Sequence, residues 1–341
     1  MDCLVLSYES PSQLVSVPCL HLEFNDESLV PMAEPMVKWA VEVSRFQDLP
    51  RIVRRAAKIA MTPPMGPVFI SLPGDILNEE DALELGSRTR IDTKVRPADS
   101  TLERVADRIL SAKNPVVVAG HELATDNALN EAADFASIVG CPVYQQTVQY
   151  GAHFLSEHPA FMGALTRDQQ QVRDILSPYD LLVVLGADVL RMSVWAPVEP
   201  LPDGMPIIQI GQRDWEMGKN FPTEMAIRAD IKETLQALNP VINERGGAEQ
   251  TARAKLNLDK LANNNWSANR KILTDKLQAN MEGEVIDPSW MVMKVIDTMP
   301  DDTIIVDEGI ISTRALTALL PYRDPTSLFG MASGGIGWGV P

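Results

Sequence analysis

Two stretches near the end of the chain carry residue types that chemistry could use. Asp307-Glu308-Gly309 follows the β-branched run Thr303–Val306, and Ser312 and Thr313 add two hydroxyls just beyond it. Further on, ASGGIGWGVP at 332–341 sets Gly334, Gly335, Gly337 and Gly339 around Ile336 and Trp338. That glycine density suits neither a helix nor a strand, and it lets backbone come close to a ligand or to another backbone. A strand, an acidic-glycine turn, a helix and a glycine loop together fit a phosphate-bearing ligand held at strand ends of an α/β sheet. The plainer alternative is a packed βα unit with a tight turn.

Other reactive side chains are scattered. Cys3, Cys19 and Cys141 are odd in number and widely spaced. They point to a reducing, cytoplasmic compartment and offer no metal-ligand spacing. His21, His121, His153 and His158 make no HxH or HExxH pattern, so no zinc site is expected. His121 and His158 read as hydrogen-bonded turn residues, and Asp75, after the Pro73-Gly74 break, reads as one that fixes a turn. A formal charge of −16 argues against nucleic acid as a partner. No apolar run reaches membrane-spanning length. With 341 residues and 45% apolar content, the chain reads as two or three globular domains.

The elements that must position these groups follow from periodicity. Residues 1–28 show no clear period and stay unassigned. Residues 48–61 form an amphipathic helix with Ile52, Ala56, Ile59 and Ala60 on one face, Asp48 at its N-cap and Pro50 in the first turn. Gly66–Leu72 is a buried strand, and 79–97 a polar linker. Then strands and helices alternate. Helices are expected at 100–112, 126–139 and 167–176, and from Asp230. Strands are expected at 116–119, from Pro142, and at 181–185, 206–210 and 225–228. Strands that end in glycine between helices mean a parallel sheet covered on both faces. VVVAGHELATDN, after the first strand of this unit, lacks G-x-G-x-x-G, which weakens a nicotinamide reading. Residues 249–281 read as a mostly exposed helix joining two domains, and 288–299 as a helix feeding the strand at Thr303.

Three motifs in this order carry a resemblance. GPVFISLPGDIL at 66–77 resembles the end of the pyrimidine-binding domain of thiamine-diphosphate enzymes, and 98–240 resembles their middle domain. IIVDEG followed by ASGGIGWGVP resembles the start of their diphosphate-binding domain. The similarity is strongest to the benzoylformate decarboxylase and acetolactate synthase group. The implied fold is α/β, with doubly wound parallel sheets. A complete Rossmann-like middle domain (98–240) lies between partial domains at 29–85 and 286–341, with a helical linker at 241–285.

The resemblance also implies roles. Gly334 and Gly335 would contact the aminopyrimidine through backbone, and Ile336 would prop the bent cofactor. Ile310 and Ile311 stand where the family usually carries polar side chains for the diphosphate, with Ser312 and Thr313 nearby. Met192 and Trp195 would line the substrate side, and Ser193 stands where decarboxylases place a catalytic histidine. The family's activating glutamate has no matched counterpart, and its Gly-Asp-Gly metal motif is expected beyond Pro341. The chain is therefore expected to be an inactive piece of a larger enzyme, with no catalytic residue or metal ligand of its own. The implied cofactor is thiamine diphosphate with Mg²⁺, and the implied substrate a small 2-keto acid, decarboxylated or carboligated in a homo-oligomer. Two alternatives stay open: a module binding FAD or ADP in the middle domain, and a structural remnant without cofactor.

Overall fold

The computed structural model describes residues 2–6, 28–192, 195–279 and 286–330. The chain divides into two units, 1–93 and 94–341.

In the first unit, β1 (Asp2–Leu6) runs antiparallel to β3 (Val68–Leu72), and β2 (Trp39–Glu42) runs parallel to it, in the order β1-β3-β2. The strand at β1 falls in a stretch that the sequence left unassigned. Its partner lies far along the chain, so local periodicity carries no sign of the pairing. Short α1 (Val30–Ala33) precedes β2. Helix α2 (Leu49–Met61) buries Ala56 and Ala60 against Val43, Val68 and Ile70, as its apolar face requires. Pro50 is in its first turn, but the Asp48 side chain does not cap it. Asp48 pairs instead with Arg51 at 2.9 Å. The far end of α2 is held by Lys38, whose Nζ donates to the Ile59 carbonyl at 2.8 Å. In α3 (Gly74–Leu77), Asp75 accepts from the Ile76 N–H at 2.9 Å, the turn-fixing role expected of it.

The second unit is built on six parallel strands in the order β6-β5-β4-β7-β8-β9. These are β4 (Pro115–Ala119), β5 (Val143–Gln145), β6 (Phe161–Ala164), β7 (Leu181–Leu185), β8 (Ile207–Gly211) and β9 (Met225–Arg228). All five residues of β4, β7 and β8 are buried, because helices cover both faces. Val117, Val183 and Leu185 pack on one side with α4 (Asp99–Ser111) and α6 (Leu129–Val139). Val116, Leu182 and Val184 pack on the other with α7 (Gln169–Leu176). The expected helix 126–139 begins three residues late, as α6 from Leu129; the short α5 (Glu122–Thr125) precedes it, with Asn127 at φ 51° between them.

The last helix of the sheet does not stop at a linker. Helix α8 (Ile231–Leu261) runs through Pro240 and bends at Gly247, where φ is 57° and ψ −157°. Past the bend, Gln250 Nε2 donates to the carbonyls of Ile138 and Val139 at 2.8 and 3.0 Å, so α8 closes the end of α6. Helix α9 (Trp266–Ala279) follows. The stretch 249–279 is mostly exposed, as expected, but it is two helices and buries Trp266, which is 6% exposed. Next come α10 (Pro288–Thr298), β10 (Ile305–Asp307), α11 (Thr313–Leu319) and β11 (Leu328–Gly330), the two strands pairing in parallel.

The start of α8 depends on a carboxyl from the turn after α5. Asp126 Oδ2 accepts the Ile231 N–H at 2.9 Å, and Oδ1 accepts from Gln212 Nε2 at 2.8 Å. Burial raises its pKa from 3.8 to about 7, with Asp230 and Glu122 pushing the same way. The folded state therefore binds this proton more tightly than the unfolded chain. The stability so gained is present below the unfolded pKa and is lost as pH rises through about 7. We expect Asp126→Asn to be more stable than wild type by roughly 1–4 kcal/mol near pH 8, and the gap to close near pH 4. Urea unfolding at both pH values measures this, and a gap independent of pH would contradict it.

Candidate functional site

The sheet order reverses direction between β4 and β7, and in open α/β folds the crevice beyond the carboxyl ends of such strands is where ligands sit. Here that crevice is filled by charge. Glu122, Asp188 and Arg213 each stand two residues beyond a strand-ending glycine: Gly120, Gly186 and Gly211. This repeated G-x-(charged) spacing was visible in the sequence and went unread. Arg213 Nε donates to Glu122 Oε1 at 2.9 Å, and its Nη2 lies 3.1 Å from Asp188 Oδ1. Glu122 Oε2 accepts the Gln212 N–H at 2.6 Å. Burial works against the Arg213 charge, but Asp188 and Glu122 outweigh it and hold the guanidinium above its ordinary range. A cavity of about 10 Å³ remains among these groups, room for one water. It gives no support to a flavin or ADP held in this crevice.

Beside the triad lies a ring cluster. His121 follows β4, and Tyr150 and His153 lie on the loop after β5. The His121 centroid is 4.8 Å from Tyr150 and 5.8 Å from His153. Burial, then Arg213, lower the His121 pKa to about 4. Burial, then His121, take His153 well below the usual range. Both imidazoles are neutral at physiological pH. His121 does stand in a turn, its carbonyl accepting the Ala124 and Thr125 N–H groups at 2.9 and 3.2 Å, but its ring takes no part in that turn. Its Nδ1 is buried without a partner, because the ring turns into the cluster rather than back onto its own turn. His158 does match its expected role: Nε2 lies 2.9 Å from Ser137 Oγ and Nδ1 accepts the Ala160 N–H.

The residues expected to handle a phosphate group lie elsewhere in the unit, at the carboxyl end of β10. Asp307 Oδ1 accepts the Gly309 N–H at 2.9 Å, and Oδ2 accepts from Thr313 Oγ1 at 2.8 Å. The turn thus spends two of its donors on its own carboxylate. Ile310 and Ile311 are 73% and 88% exposed. Ser312 is also exposed, and its side chain does not cap α11. Side-chain donors for a diphosphate are therefore poor here, as the isoleucines implied. Gly334, Gly335 and Ile336 lie outside the described residues, as does Ser193. Met192 is partly buried and packs on the α7 side of the sheet, and Trp195 is 83% exposed. Among the described residues, no group of three or more His, Cys, Asp or Glu side chains is arranged to hold a metal ion. No helix among them is long and apolar enough to cross a membrane.

Residues 102–238 match the family model for the central domain of thiamine pyrophosphate enzymes. The chain is 28% identical over 313 residues to benzoylformate decarboxylase of Pseudomonas aeruginosa, a match covering 91% of this chain and 55% of that one. It is 25% identical over 331 residues to the chloroplastic acetolactate synthase of Arabidopsis thaliana, covering 93% of this chain and 47% of the synthase. The chain therefore spans about half the length of these curated relatives. A solved Mycobacterium smegmatis enzyme, provisionally described as thiamin diphosphate-dependent, superposes with a TM-score of 0.73 at 28% identity, over 93% of this chain and 57% of that one. The 4-hydroxybenzoylformate decarboxylase of Rhodococcus jostii, also at 0.73 but 23% identical, shares the fold. The family model and the similarity along nearly the whole chain agree: residues 102–238 match the central domain of thiamine pyrophosphate enzymes, and the polypeptide is similar to a benzoylformate decarboxylase and an acetolactate synthase over more than nine-tenths of its length.

Proposed function

We propose that this chain serves a thiamine-diphosphate-dependent reaction of a 2-keto acid, decarboxylation or carboligation. The observation that carries the reading is similarity to a benzoylformate decarboxylase and to acetolactate synthases over more than nine-tenths of the chain. The Asp307–Ser312 turn, at the end of a parallel strand, is the described part of the proposed cofactor site. Gly334, Gly335 and Ile336 would complete it on the pyrimidine side, with Mg²⁺ beside the diphosphate. Met192, Ser193 and Trp195 belong to the loop proposed to face the substrate.

The same turn supports the view that residues 1–341 alone do not turn over. Apolar side chains stand at 310 and 311, where a multiply charged anion needs donors, and Asp307 adds a negative charge of its own. Isothermal titration of this polypeptide with thiamine diphosphate and Mg²⁺ is expected to show no saturable binding at low micromolar concentration. A saturating isotherm there would overturn the inactive reading. Supplying the missing donors tests the site itself. The double substitution Ile310→Asn, Ile311→Ser is expected to tighten binding about tenfold or more, since a hydrogen bond to a charged group contributes about 1.5–3 kcal/mol. Thiamine monophosphate should gain less, and equal affinity of variant and wild type would remove these positions from the site.

Self-association also belongs to this reading. Ile286, Met291, Val295, Ile304 and Val306 are exposed apolar residues clustered within one short stretch of chain around α10 and β10. Exposed apolar side chains at this density support an interaction face. Light scattering at micromolar concentration is expected to report a dimer or larger species, and a clean monomer would contradict this.

A further inference from the structure

Gln145 is the last residue of β5, and we infer that it is a positioning residue for the Asp307–Ser312 turn. Its side chain is wholly buried. Its backbone is fixed within the sheet, in register with Ala119 of β4 on one side and Ala164 of β6 on the other. From that fixed point Nε2 donates to the Gly151 carbonyl at 2.8 Å, and Oε1 accepts the His153 N–H at 3.4 Å. One amide thus closes the loop 146–153 on itself from inside.

That loop is what β11 docks on. The Gly330 N–H donates to the Tyr150 carbonyl at 3.0 Å, and Gly151 forms an antiparallel bridge with Phe329. The approach is tight, since a Cβ on Gly330 would lie 3.0 Å from Tyr150 Cα. Strand β11 in turn pairs in parallel with β10, placing Gly330 opposite Asp307. Asp307 then organises the turn through Gly309 and Thr313. A continuous line of hydrogen bonds and strand pairing therefore runs from β5 of the six-stranded sheet to the turn. Among the described residues, Gln145 is the side chain on that line that bonds both Gly151 and His153. Position and orientation at the turn follow from this amide, although none of its atoms reaches the turn.

The relevance to a cofactor rests on the function proposed above, whereas the coupling is a property of the chain alone. Gln145→Met keeps the length of the side chain and removes both polar atoms, leaving the Gly151 carbonyl and the His153 N–H without partners. Hydrogen exchange of the amides at 305–309 and 328–330 in the full chain is expected to accelerate about tenfold or more, while amides of β4 and β7 keep wild-type protection. The Gly309 amide resonance should shift as well, which ordinary loosening of a distant loop would not cause. Gly330→Ala breaks the same line at its other end and should shift Gly309 in the same way. The two changes together should exceed the larger single effect only slightly, because they act in series. Unchanged exchange at 305–309 in folded Gln145→Met, or additive effects in the double variant, would overturn the assignment. Should Gln145→Met fail to fold, Gly330→Ala decides alone: an unmoved Gly309 resonance overturns the coupling. A shifted turn in Gln145→Met, together with equal diphosphate affinity of wild type and the Ile310→Asn, Ile311→Ser variant, would remove the cofactor reading and leave the positioning role standing.

Discussion

Parallel strand pairing across β4, β7 and β8 imposes the constraint from which the rest of the second unit follows. With both faces buried, each strand must end where helices have already taken the flanks, so polar groups at the carboxyl ends can be satisfied only by neighbouring loops. Glu122, Asp188 and Arg213 meet that demand as a triad across three adjacent strands. Burying three charges is costly unless each is paired and hydrogen-bonded, and the Gln212 N–H supplies Glu122 with a further donor. The outcome is a crevice closed by electrostatics at the place where this fold class usually opens one.

The region from α9 to β11 is attached to that sheet by polar contacts as well as apolar ones. Trp266 packs against Phe161 and donates from Nε1 to the Thr317 carbonyl at 3.1 Å. Arg270 Nε donates to the Leu319 carbonyl at 2.7 Å. Ser156 and Tyr322 exchange two hydrogen bonds, with the buried Ser156 Oγ accepting the Tyr322 N–H at 2.8 Å. These bonds reach the C-terminal end of α11 and the chain that follows it. The other end of α11, with the Asp307 turn, is held through β11 and through apolar packing of Ile305, Ala315 and Leu316 with α10.

The central strands were legible in the sequence because each is a continuous apolar run ended by glycine, a signal that needs no knowledge of partners. Strand β6 was not, since it is four residues long, contains Gly163 and meets β5 through a register shift. Strand β1 was missed because its apolar run gains meaning only beside β3. The continuation of α8 was hidden by Pro240 and Gly247, both helix-breaking by composition; burial of Leu238, Ile242 and Ala254 against the sheet's helices overrides them. For the candidate site, the Asp307 turn could be read from local order. The strand-end triad and the Gln145 clamp join residues far apart in sequence, and only the fold brings them together.

Asp307 has a consequence beyond shaping its turn. By accepting from Gly309 and Thr313 it behaves as a resident competitor for donors that an incoming anion would want. Because it is tethered, its effective concentration at those donors is far above that of a free solute, on the order of millimolar or more for short tethers. Any external phosphate group meets a seat already taken, and its apparent affinity falls by the fraction of time the carboxylate stays in place. The turn therefore carries a built-in threshold: it favours ligands that bring enough binding energy from elsewhere to displace its own side chain.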